Sequence, residues 1–241
     1  LKRSIIRERF ERIAHFEISD DRFIQVPHHL AHAAGSFFSS GYNESLILTL
    51  DGYGEEESSV WALGEKKAIS MGGAIPLPTS LGMLYQIISA FLGFRSFGDE
   101  YKVMGLSSYG KSKDFLPVFN DLVLLHPNGN YSIQDLSRSD LLPWLKDKFG
   151  ELPPNDSFSQ KKADIAASLQ KQLEITLLEQ LSSLKSRYHT HNLCISGGVG
   201  LNACANGILL RSGLFKNIYI QPAEGDDGAS RTVRIGIPRP S

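Results

Sequence analysis

The chain has 241 residues, 41% of them hydrophobic, enough to bury a core in one large domain or two small ones. A net charge of -1 gives no electrostatic reason for a nucleic-acid or membrane-surface partner, and no apolar run approaches the roughly 20 residues that span a bilayer. No secretory signal opens the sequence, and Cys194 and Cys204 lie outside CxxC spacing, so a reduced, cytoplasmic protein is the expectation.

In chain order, LKRSIIRERFERI reads as a helix entered part-way, as in a fragment. HHLAHAAG (28–35) then puts three of the seven histidines of the chain into five positions. Pro27 suits the first position of a helix, where its missing N–H costs nothing. On that helix His28 and His32 share a face and can hold one metal ion between them. His29 projects elsewhere and is expected at solvent. Taken alone, an HxxxH pair is more often a structural or solvated feature than a metal site. SLILTLDGYG (45–54) predicts a buried strand ending at Asp51, and strand carboxyl ends are where α/β sheets build their sites. Asp-Gly also simply caps turns.

Residues 45–75 predict a three-stranded meander, its second and third strands short and centred near Gly64–Lys66. Ser80 is a candidate N-cap for a helix that places Leu81, Leu84, Tyr85, Ile88 and Phe91 on one face. Glu100 and Lys102 in GDEYKVMG read as a surface ion pair. The mixed segment 111–157 reads as a peripheral insertion. A long helix follows from about Ser159 to Arg187, with Ile165, Leu169, Leu173, Leu177 and Leu181 four apart. The strand NLCIS (192–196), a glycine turn opening a helix, and the strand NIYI (217–220) complete a βαβ unit.

Two further clusters carry chemistry. In ISGGVGLNACAN, Gly197, Gly198 and Gly200 expose backbone amides at a helix start, which suits a phosphate or, equally, close helix–strand packing. In PAEGDDGA the neighbouring carboxylates of Asp226 and Asp227 repel each other unless a cation or hydrogen-bond donors compensate.

Together HHLAHAAGSFF, LTLDGYGE, GDEYKVMGLSSYG, SGGVGLNACAN and PAEGDDGA resemble, in order, the NodU/CmcH-type O-carbamoyltransferases. The resemblance runs from about His28 to Ala229. It implies an α/β fold of the actin/Hsp70-like ATPase (RNase H-like) class, a mixed sheet flanked by helices, with two such halves around a nucleotide. It implies transfer of a carbamoyl group from carbamoyl-adenylate, made from carbamoyl phosphate and ATP, to a hydroxyl of a sugar or secondary metabolite. It further implies a metal, Fe(II) or another divalent transition ion, held by His28, His32, Asp51 and Asp226, with Asp227 as the alternative to Asp226. Gly197, Gly198, Asn202 and Asp227 would face the nucleotide.

The resemblance also sets expectations about what lies outside the chain. Residues 1–241 match a carbamoyltransferase N-terminal-type catalytic domain expected to be incomplete at both ends, without the YrdC-like domain that makes carbamoyl-adenylate. The tail SRTVRIGIPRPS, with Pro238 and Pro240, does not continue the expected helix. Two other readings stand beside the enzyme: an inactive nucleotide- and metal-binding remnant, and a sugar-kinase-like phosphotransferase. Kinases of that fold manage Mg²⁺ with carboxylates and water, so HxxxH argues against the second. The acceptor and the oligomeric state are left open.

Overall fold

The computed structural model describes residues 3–95, 97–134, 141–153, 158–223 and 225–226. Helix α1 (Arg3–Ala14) follows the predicted opening helix and is largely exposed. Helix α2 (His28–Ser40) starts one residue later than its sequence suggests. Pro27 is extended, at φ -55° and ψ 140°, and stands just outside the helix, its carbonyl accepting the Ala31 N–H at 3.0 Å. The helix ends at Gly41, whose left-handed backbone a side chain would strain.

Strands β1 (Glu44–Leu50), β2 (Glu57–Glu65) and β3 (Ala68–Pro76) form the predicted meander. The second and third are nine residues each, against seven for the first, so they are not the short strands expected. Their length was masked by Gly64, Gly72 and Gly73, which read as strand breaks but lie within the ladder. Ser80 caps α3 (Leu81–Phe91) by accepting the Met83 N–H at 3.1 Å, and Leu81, Leu84, Tyr85 and Ile88 are buried as their spacing requires.

Helix α4 (Glu100–Ser107) comes next, then α5 (Leu116–Leu122), the strands β4 (Val123–Leu125) and β5 (Tyr131–Ile133), and α6 (Leu141–Phe149). These last four lie in the segment expected as a peripheral insertion. Their two strands form a hairpin separate from the main sheet, yet Phe119, Leu122, Val123, Tyr131 and Phe149 are buried in the main core. Helix α7 (Gln160–Tyr188) is capped by Ser159 and buries Ile165, Leu169, Leu173, Leu177 and Leu181. Strand β6 (Asn192–Ser196), helix α8 (Ala203–Ser212) and strand β7 (Asn217–Ile220) make the predicted βαβ unit.

The main sheet has the order β3-β2-β1-β6-β7, antiparallel on one side of β1 and parallel on the other. Strand β1 is therefore central and covered on both faces. Its alternation sorts side chains between two layers. Ile47 packs with Ala33 and Phe37 of α2, while Leu46, Leu48 and Leu50 join α3, α7 and α8 opposite. A mixed sheet flanked by helices is thus the fold, and one five-stranded sheet lies among the described residues. No helix among them is long and apolar enough to cross a membrane. The layering brings the start of α2 and the ends of β1 and β6 to the same edge.

Candidate metal centre and cleft

Helix α2 begins over the carboxyl end of β1, so its first and fifth residues hang above Asp51, the residue that follows the strand. The rings of His28 and His32 lie 4.7 Å apart at 73°. Asp51 Oδ2 is 3.2 Å from His28 Nε2 and 3.3 Å from His32 Nε2. Asp226 Oδ1 approaches from the loop after β7, at 3.4 Å from His32 Nε2 and 3.8 Å from His28 Nε2. The four donor atoms all lie within 4.8 Å of one another. Donors each about 2 Å from one ion sit roughly 3 to 4 Å apart, and the four imidazole–carboxylate distances, 3.2 to 3.8 Å, fall in that range. Asp227 falls outside the described residues.

Electrostatics sharpen this arrangement. The hydrogen bond to Asp51 raises the His28 imidazole above its ordinary range, opposed by burial and reinforced by the charge of Asp226. Burial alone would push the Asp51 carboxyl up. Its contacts with His28 and His32 and the Gly52 amide, which it accepts at 2.7 Å, hold it far below the usual carboxylate range instead. The side chain of His32 is 1% exposed, and its Nε2 is buried with no hydrogen-bond partner. A buried imidazole nitrogen beside two carboxylates, yet aligned with neither, is a position a cation satisfies. Two imidazoles and two carboxylates are donors suited to a divalent first-row ion, so the residues present fit a metal.

His29 corrects an expectation. It is 4% exposed, not solvated, with Nδ1 2.7 Å from Thr49 Oγ1 and Nε2 3.0 Å from the Glu57 carbonyl. Burial holds its imidazole below the ordinary range. With both nitrogens engaged, it pins the start of α2 to β1 and β2 and is not placed to take a substrate proton.

Beside the cluster lies a pocket of about 330 Å³, floored by Asp51, Gly52 and Gly198 and walled by Tyr85, Glu100 and Asn202. Gly197 takes φ 95°, and a side chain there would run into the Leu50 carbonyl, so this glycine serves packing against β1. A side chain at Gly198 would meet only Asp51 Oδ1, at 3.2 Å, so this glycine keeps the pocket open. Between them and α8 intervenes a 3-10 turn, Gly198–Leu201, which sequence reading did not anticipate.

Asn202 is more committed than expected. Its Oδ1 caps α8 by accepting the Ala205 N–H at 2.9 Å, and its amide pairs reciprocally with Gln170 at 2.9 and 3.0 Å. Gln170 also accepts the Tyr85 hydroxyl at 3.1 Å, tying α3, α7 and α8 together behind the pocket. Lys102 pairs with Asp99 at 2.9 Å, not with Glu100. Glu100 Oε2 accepts the Gly98 N–H at 2.7 Å, while its Oε1 is buried without a partner. Sequence reading passed over the exposed aromatics Tyr53 and Phe97, which stack at the mouth with centroids 6.2 Å apart. Phe97 is left-handed at φ 65°, a strained conformation for a bulky residue.

Comparison with known proteins adds the following. The family model described as Carbamoyltransferase N-terminus matches residues 10–233. The chain is 37% identical over 219 residues to the uncharacterized protein sll1178 of Synechocystis sp., covering 87% of this chain and 35% of that protein. It is 37% identical over 215 residues to nodulation protein NolNO of Sinorhizobium fredii, covering 89% of this chain and 31% of the relative. The chain thus spans about a third of the length of these curated relatives. Among solved structures it resembles the crystal structure of HypF from T. kodakarensis, with a TM-score of 0.56 over 97% of this chain and 38% of that one. At 14% identity that likeness is one of fold.

Proposed function

The chain belongs to the carbamoyltransferase N-terminus family, and from that premise we propose that its cleft is the transfer site of an O-carbamoyltransferase. The observation that carries this reading is the convergence of His28, His32, Asp51 and Asp226 beside a pocket that Asp51 and the glycine turn line. In this proposal the four side chains hold a divalent transition ion such as Fe(II). That ion supplies positive charge to orient and neutralise a phosphate next to the reacting carbamoyl group.

The donor is carbamoyl-adenylate, formed from carbamoyl phosphate and ATP. Its phosphate lies against the backbone at Gly198, where a side chain would meet only Asp51 Oδ1. Its nucleoside extends along the wall formed by Tyr85 and Asn202, held in place from behind by Gln170. The hydroxyl oxygen of the acceptor bonds to the carbamoyl carbon while the bond from that carbon to the phosphate oxygen breaks, and AMP leaves with the hydroxyl proton taken up by its phosphate. Glu100 Oε1, shielded and without a partner, accepts a hydrogen bond from a hydroxyl of the bound ligand. The stacked Tyr53 and Phe97 offer an apolar platform at the mouth for a ring.

The test is an assay with carbamoyl phosphate, ATP, an added YrdC-like domain to form carbamoyl-adenylate, and a panel of hydroxylated acceptors, reading carbamate ester and AMP by mass spectrometry. A carbamoylated acceptor formed with stoichiometric AMP supports the proposal. Phosphorylated acceptor with ADP would replace it with the phosphotransferase.

A further inference from the structure

Ser196 is the last residue of β6, paired in register with Thr49 of β1 and followed at once by the glycine turn. It is 2% exposed, and its Oγ lies 3.2 Å from His32 Nδ1. The rest of the imidazole has little freedom. The side chain is 1% exposed, and the opposite nitrogen, Nε2, is the buried atom without a hydrogen-bond partner between the two carboxylates. A neutral imidazole carries one proton, so one ring nitrogen can bind a metal only if the other carries that proton.

We propose that Ser196 is the positioning residue for the metal centre: its hydroxyl oxygen accepts the His32 Nδ1 proton, fixing the tautomer whose Nε2 lone pair is directed at the ion. The inference rests on the metal reading given above. Orientation is its second consequence. With the ring held at Nδ1, Nε2 stays in line with the other three donors instead of turning about the Cβ–Cγ bond. The hydroxyl keeps its own proton to donate elsewhere, so the strand end loses nothing by serving the histidine. Because Ser196 immediately precedes Gly197 and Gly198, the support of the metal ligand and the floor of the pocket hang from the same strand end.

Partners of this kind, one bond removed from the ion, typically govern metal affinity by 10–100-fold. The experiment is titration of the metal-stripped protein with Co²⁺, followed by its visible absorption, for wild type, Ser196→Ala, Ser196→Thr and His32→Ala. The account expects Ser196→Ala to bind roughly 10–100-fold more weakly, with an unchanged circular dichroism spectrum and melting temperature. Ser196→Thr, which restores the hydroxyl, should recover most of that loss. In the Zn²⁺-loaded wild type, ¹⁵N NMR should show His32 protonated at Nδ1 and coordinated through Nε2. Equal Co²⁺ affinity in wild type and Ser196→Ala, or coordination through Nδ1, overturns the role of Ser196 while leaving the metal site standing. No Co²⁺ binding by wild type, or binding unchanged in His32→Ala, overturns the metal reading and this inference with it.

Discussion

A methyl group added at Gly197 would run into the Leu50 carbonyl, whereas one added at Gly198 would meet only Asp51 Oδ1 at 3.2 Å. Two adjacent glycines that look alike in sequence therefore do different things. Gly197→Ala combines that clash with a left-handed φ of 95° and should cost at least about 1–3 kcal/mol of stability. Gly198→Val should fold with a near-normal melting temperature and instead lose affinity for a non-hydrolysable ATP analogue, since its side chain projects where the phosphate is proposed to lie. Thermal unfolding and calorimetric titration of the two variants separate the roles. Unchanged nucleotide affinity in Gly198→Val would make that turn a packing feature only. His29 shows the same limit of residue-by-residue reading. Its position on the helix wheel was legible, but its burial depends on Thr49 and the Glu57 carbonyl, which arrive from strands some 20 and 28 residues away.

Helix α4 begins at a carboxylate whose environment is polar rather than apolar. The Lys102 ammonium 2.9 Å away, followed by the Arg95 N–H at 3.1 Å, brings the Asp99 carboxyl from 3.8 down to about 2. The unfolded carboxyl takes up its proton near 3.8 and the folded one holds off to about 2, so between these values the unfolded state binds more protons. The contribution of Asp99 is therefore complete above pH 3.8 and is lost as pH falls through about 2. Asp99→Asn should flatten the decline of stability across that window, read as denaturant midpoint against pH; an identical slope in both proteins would contradict the pairing. At the same scale, what sequence showed depended on period and length. The 29 residues of α7 declared themselves through leucines four apart, and β1 through its unbroken apolar run. The hairpin of β4 and β5 did not, because two strands of three residues each carry too little alternation to register. Its burial in the main core follows from Val123, Tyr131 and Ile133, whose partners are distant in sequence.

Across the whole molecule, the order β3-β2-β1-β6-β7 makes the edge where α2 starts and β1 and β6 end a single locus, and the loop after β7 reaches it as well. His28, His32 and Asp51 were legible because each has a local signature: a one-turn spacing on a helix, and an acid closing an apolar strand. Asp226 was legible only through resemblance, since nothing in GDDGA says which carboxylate turns inward. Ser196 was missed. A serine ending a strand has no signature until β6 is laid beside β1 and His32 is folded down onto both. Family membership accounts for the motifs, and the chain spans about a third of the length of its curated relatives, so the metal cluster is the part of the proposed chemistry that this chain carries within itself. The most direct measurement is elemental analysis of the purified protein against the double variant His28→Ala/His32→Ala. Wild type should carry roughly one transition-metal ion per chain and the variant almost none, because removing two of four donors leaves no closed site. Equal metal content in the two proteins would contradict it.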